Sequence, residues 1–147
     1  MNYVQRLEHW GDTHHPKWID LLRIVLGVFL CIKGVEFGRN LGGLETMMSR
    51  QVPFSSLMLV FISHYILFAH TMGGFLLATG LLTRLACLIQ IPVLLGAIIF
   101  VNASIMRSFP EMFLSILILL LLIYFLIVGS GPWSLDRALS RESDKKA

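Results

Sequence analysis

The chain has 147 residues, of which 56% are hydrophobic and only 14% charged, with a formal net charge of +3. Ordinary soluble domains carry about 25% charged residues, so this composition excludes a water-soluble fold, whereas a bilayer removes the need to cover apolar surface. The basic residues collect near the ends of apolar stretches, a pattern of membrane topology and lipid headgroups rather than of nucleic-acid binding.

The first 17 residues are polar, include His14, His15 and Pro16, and lack the short apolar core of a cleaved signal peptide. The first helix is therefore expected to be an uncleaved anchor. A crossing of about 30 Å needs about 20 apolar residues. Four stretches qualify, at 18–37, 54–82, 85–105 and 112–128, which predicts an all-α integral membrane bundle of four transmembrane helices in one membrane domain.

In the first helix, Gly27, Cys31, Gly34 and Gly38 form a stripe of small residues on which another backbone can approach closely. Lys33 and Glu36 stand three apart on another flank, placed to pair with each other. Asp20 and Arg23, also three apart, read as an interfacial pair and topology anchor at the inner end. The link over 38–52 contains Gly42, Gly43, Arg39 and Arg50 and has room for a short surface helix.

The second stretch is too long for one straight crossing. Its first part, 54–61, fits an interfacial segment, a tilted extension or a re-entrant piece, with the crossing itself starting near His64. Ala69, Gly73, Gly74 and Ala78 give it a small-residue face, so helices one and two are expected to form the tight core of the bundle. Thr83 and Arg84 alone separate it from the third helix, which makes the two antiparallel neighbours. Gln90 in the third helix is expected to bond another helix. Pro110 is placed to start the fourth helix, whose wholly aliphatic run over 116–122 looks lipid-facing. Gly129, Gly131 and Pro132 stop it. Ser134 is then placed to cap a short cytoplasmic surface helix over 134–140.

Lys and Arg set the orientation. With both termini in the cytoplasm, Arg6, Lys17, Arg23, Arg84, Arg137, Arg141, Lys145 and Lys146 lie inside, against Arg39, Arg50 and Arg107 outside. Trp10, Trp18 and Trp133 then share the inner interface. Arg23, Arg84, Trp133 and Arg137 are the expected topology and lipid contacts.

Ionisable groups inside apolar helices are costly and mark candidate sites. At 1.5 Å per residue, Lys33, Glu36, His64, His70 and Asn102 all fall roughly 18–27 Å above the inner boundary, and Glu111 opens the fourth helix on the outer side. These six residues are the candidate polar pocket. His64 and His70 are six apart and do not face one point, so no two-histidine metal site on one helix is expected. Either can relay protons or meet a quinone. Cys31 and Cys87 differ in depth by over about 10 Å, so no disulfide joins them, and no Cys-x-x-Cys pair is present. No phosphate loop, nucleotide fingerprint or nucleophile motif occurs, and no catalytic residue is assigned.

The string GGFLLATGLLTRLA at 73–86, the string GSGPWSLDR at 129–137 and the Arg23…Gly27…Lys33-Gly34 pattern resemble the DoxX family of small four-helix bacterial membrane proteins. The family takes its name from a membrane subunit of a thiosulfate:quinone oxidoreductase. The resemblance therefore implies a bacterial inner-membrane protein that serves as a membrane subunit or accessory of a redox system, with a quinone as ligand and a membrane or periplasmic redox protein as partner. A non-catalytic scaffold or assembly partner and a small proton-coupled transporter are the alternatives.

Overall fold

The computed structural model describes residues 17–51, 53–102, 109–131, 133–135 and 138. Their regular structure is entirely helical, with five helices and no strand. Helix α1 is Lys17–Arg39, with Asp20 in its first turn and Arg39 in its last, each matching the sign of the helix dipole. Helix α2 is Leu41–Gln51, the short helix expected in the first link. Asn40 opens it by accepting a hydrogen bond from the Gly43 amide at 3.2 Å.

Helix α3 runs Ser56–Thr79 without interruption. Ser55 is extended, and its hydroxyl accepts from the Met58 amide at 3.4 Å, which caps the start. The helix thus takes in most of the 54–61 part, from Ser56 on. Its end also moves, from Leu82 to Thr79. Gly80 adopts the left-handed conformation at φ +70°, its amide reaches Leu77 O at 3.3 Å, and the Leu81 amide reaches Leu76 O at 3.0 Å. These two bonds close the last turn in a Schellman motif. Residues 80–82 therefore form the hairpin link, while Thr83 and Arg84 open helix α4.

Helix α4 is Thr83–Gly96, continued by a wide π turn over Ala97–Asn102. Pro92 lies inside it and has no amide for the turn below. The neighbouring Ile89 carbonyl accepts from the Tyr65 hydroxyl of α3 at 2.9 Å. A side chain from the adjacent helix thus serves a backbone group that lipid cannot. Helix α5 is Phe109–Val128, with Pro110 in its first turn.

The helices pack in the order α1 on α3, α3 on α4 and α4 on α5, with α2 set against α3. The Ser63 hydroxyl donates to the Glu45 carboxylate at 3.0 Å and ties α2 down. The core joins Leu26 and Leu30 of α1, Leu77 of α3, Cys87 and Leu94 of α4, and a narrow seam of α5 made by Ile118, Leu122 and Phe125. Only 17% of the α5 span is buried, so its aliphatic surface is turned outward.

Among the described residues, three helices are long and apolar enough to cross a membrane: Ser56–Thr79, Thr83–Phe100 and Pro110–Val128. Helix α1 is long enough at 23 residues but carries Lys17, Asp20, Arg23, Lys33, Glu36 and Arg39. The contact between α1 and α3 is backbone on backbone. A Cβ at Gly27 would stand 2.7 Å from Ala78 Cα and 2.7 Å from Gly74 O, and one at Gly34 would stand 2.8 Å from Thr71 N. Gly74 faces the Cys31 amide in the same way, whereas Gly38 meets only the flexible end of Leu67. Of the surface helix expected over 134–140, the described part is Leu135 and Ala138, with the Ala138 amide on Ser134 O at 3.2 Å. Pro132 and Arg137 lie outside the described residues.

Candidate functional site

Two clusters of buried polar residues stand out among the described residues. The first is at the start of α1. Asp20 and Arg23 are both 0% exposed and lie 3.6 Å apart. The Arg23 guanidinium donates to Ser130 O and, at 2.8 Å, to Trp133 O. The Trp133 amide donates in turn to the Asp20 carboxylate at 2.9 Å. The pair expected at the lipid interface is therefore enclosed by protein. It clamps the first described helix to the loop that follows the last one. The carbonyls of that loop lie beyond the end of α5, and a planar, five-donor guanidinium suits two of them at once. Ser134 is buried and donates to Gly131 O at 2.9 Å, which shapes the loop around the guanidinium.

Gly80 closes this site from the α3 side. A Cβ there would lie 2.8 Å from Arg23 Nη2 and 2.8 Å from Ser134 Cβ, at a backbone φ of +70°. Gly80→Ala is expected to destabilise the bundle by about 2 kcal/mol, from left-handed strain and displacement of the guanidinium. Unfolding curves in lipid bicelles check this value. Arg84 is half-buried and passes beside Gly129, while Trp133 stays exposed with Trp18 at the same end of the molecule.

The second place is a π turn within α3, Ala69–Gly73. Such a turn inserts one extra residue and leaves carbonyls free to bond outside the helix. Two of them do so. Gln90 of α4, fully buried, donates its amide to Ala69 O at 2.8 Å, and Cys31 of α1 donates to Thr71 O at 3.3 Å. Gly73 makes room for Gln90, since a Cβ there would come within 3.1 Å of its amide nitrogen. His70 sits in this turn and is 6% exposed. Its ring meets Phe37 of α1 edge-on at 5.4 Å, and its Nδ1 lies 3.1 Å from Ile66 O. A carbonyl oxygen only accepts, so that contact requires the proton on Nδ1. The neutral ring then presents Nε2 as a bare acceptor.

The five residues of the expected pocket whose side chains are described do not converge. His70 is inside the bundle, while His64 is exposed, with Nδ1 against Val60 O of its own helix at 2.8 Å. Lys33 and Glu36 pair at 2.7 Å on the outside of α1, 41% and 62% exposed. Glu111 is exposed in the first turn of α5, and Asn102 ends the π turn of α4. Rotation about the helix axes separates the described side chains. Cys31 and Cys87 are both free thiols. Among the described residues no group of three His, Cys, Asp or Glu side chains is arranged to hold a metal ion.

Sequence reasoning misses the loop carbonyls of Ser130 and Trp133, because a carbonyl has no side-chain signature. The one visible signal is the density of Gly129, Gly131 and Pro132, which marks a loop whose backbone is held in a special shape. The π turn leaves no such trace.

The chain matches the profile of the DoxX family over residues 18–103. No curated protein and no solved structure matches it.

Proposed function

The chain belongs to the DoxX family, and from that premise we propose that it is a bacterial inner-membrane protein with four crossings and cytoplasmic termini, serving as a membrane subunit or accessory of a quinone-linked redox system. The fourth crossing in this reading is α1 continued by α2, since Gly38 of α1 faces Leu67 near the middle of α3 and Glu45 of α2 meets Ser63 further along it. Its outer face carries Trp18, Leu21, Val25, Val28, Ile32 and Val35, all exposed, while Asp20 and Arg23 are turned inward and neutralise each other. The excess of Lys and Arg on the terminal side supports the orientation.

His70 is the observation that carries the redox reading. It is an ionisable side chain enclosed among apolar helices, and its Nδ1 contact leaves Nε2 as an acceptor. An acceptor suits the hydroxyl of a reduced headgroup, a quinol, better than the carbonyl of the oxidised quinone. The experiment is titration of a short-chain menaquinol, then the matching menaquinone, into the protein in nanodiscs. The expected result is tighter binding of the quinol, weakened about tenfold by His70→Ala, a loss of about 1.4 kcal/mol, with His64→Ala unchanged. If neither ligand binds the wild-type protein and no redox protein copurifies from native membranes, the reading falls.

A further inference from the structure

The Lys33–Glu36 pair lies outside the bundle, and its level in the membrane follows from the helix contacts. Gly34 faces His70 and Thr71 of α3, and Gly38 faces Leu67. The apolar helix α3 runs Ser56–Thr79, so its middle is near Leu67 and Phe68. Glu36 is therefore level with the middle of the apolar span to within about 2 Å, and Lys33 to within about 6 Å, at 1.5 Å per residue. The two side chains remain 41% and 62% exposed there. Glu36 stands above Ile32 and Val25 on a helical wheel, on the outer face of α1, with Ile32 61% and Val25 57% exposed. In a single copy this ion pair would face acyl chains, where polar side chains normally turn to a protein neighbour.

We propose that this face of α1 is an intramembrane interface between two copies of the chain, with Lys33 and Glu36 shared across it. The charge pattern selects the occupant. A face that carries one charge of each sign is complementary to itself. A two-fold axis along the membrane normal holds each residue at the same depth in both copies. Lys33 of one copy then stands one helical turn from Glu36 of the other, within reach of a lysine side chain. The four charges form a closed, neutral set, and Val25 and Ile32 pack below them. Neither the clamp at Arg23 nor the turn at His70 takes part, so the interface is independent of the redox reading.

The test is fluorescence energy transfer between labelled copies in liposomes across a range of protein-to-lipid ratios. Lys33→Glu gives a face with two acids, and Glu36→Lys a face with two bases. Each variant alone is expected to self-associate about three- to tenfold more weakly than wild type, the range of polar contacts between membrane helices. An equimolar mixture of the two variants is expected to recover wild-type association, because unlike faces now meet. The double exchange Lys33→Glu with Glu36→Lys is expected to associate as wild type does. A wild-type protein that stays monomeric at every ratio overturns the proposal, as do single variants that associate normally or a mixture that does not recover. Where a single variant fails to insert, Ile32→Cys in a Cys31→Ser, Cys87→Ala background replaces it. A disulfide-linked dimer is expected, and failure to cross-link in membranes, including exclusive capture of a different protein, overturns the proposal.

Discussion

Arg23→Met lowers the stability of the bundle by about 3–5 kcal/mol, the cost of removing one partner from a buried ion pair. The substitution keeps most of the side-chain volume, so the loss isolates the guanidinium. Asp20, 0% exposed, is left with a charge inside protein, and the carbonyls of Ser130 and Trp133 lose their donor. Arg23→Lys is expected to recover less than half of the loss, because one ammonium does not reproduce the fork that reaches two carbonyls. Asp20→Asn is expected to be milder, since its amide oxygen still accepts from the Trp133 amide. Reversible unfolding in bicelles measures all three. The fluorescence of Trp133 reports release of the loop, because the clamp bonds that residue through both its amide and its carbonyl. An Arg23→Met protein as stable as wild type would show that the clamp carries no folding energy.

Gly27→Leu is expected to separate α1 from α3, with a loss of about 3 kcal/mol, the upper end of the overpacking range. The cause is the nature of the neighbours. The first added carbon would meet Ala78 Cα and Gly74 O at 2.7 Å, and backbone in a helix cannot step aside as a side-chain end does. The helices must move apart by the width of a methyl group or more, which also loosens the Cys31 contact to Thr71 and so the wide turn that holds His70. Gly42→Ala is the matched comparison. Nothing lies within 4 Å of a Cβ at that position of α2, and alanine is the better helix former, so a gain of up to about 1 kcal/mol is expected. The same unfolding curves, with the alkylation rate of Cys31 as a local probe of the α1–α3 contact, distinguish the two substitutions.

The separation of His70 from His64, Lys33 and Glu36 bears on mechanism. A pocket built from Lys33, Glu36, His64 and His70 would offer several charges to one ligand. Among the described residues the structure offers one enclosed histidine on one side and an ion pair on the outer surface of α1 on the other. A chain organised in this way suits binding of a headgroup, or assembly with a neighbour, better than a proton path through the bundle.

The sequence by itself determined the membrane setting, because lipid acts as a uniform apolar solvent and selects on composition and length alone. It also contained part of the punctuation of the last apolar helix: Pro110 near its start and Gly129 just after its end act on residues at most a few positions away, and such signals are local. The spacing of Gly27 and Gly34 was legible as a place of close approach for the same reason. Other features are decided only by tertiary structure. Arg23 meets carbonyls 107 and 110 residues further along the chain, and no periodicity links such positions. An aspartate and an arginine three apart at a helix start look the same in sequence whether they face water or the C-terminal loop. Counting residues measures distance along a helix, not rotation about its axis. Which side of each helix turns inward depends on how four packed surfaces fit together, and that fit puts His70 inside and leaves His64, Lys33 and Glu36 outside. The wide turn at Ala69–Gly73 belongs to the same class, since the donors that hold its carbonyls, Gln90 and Cys31, come from two other helices.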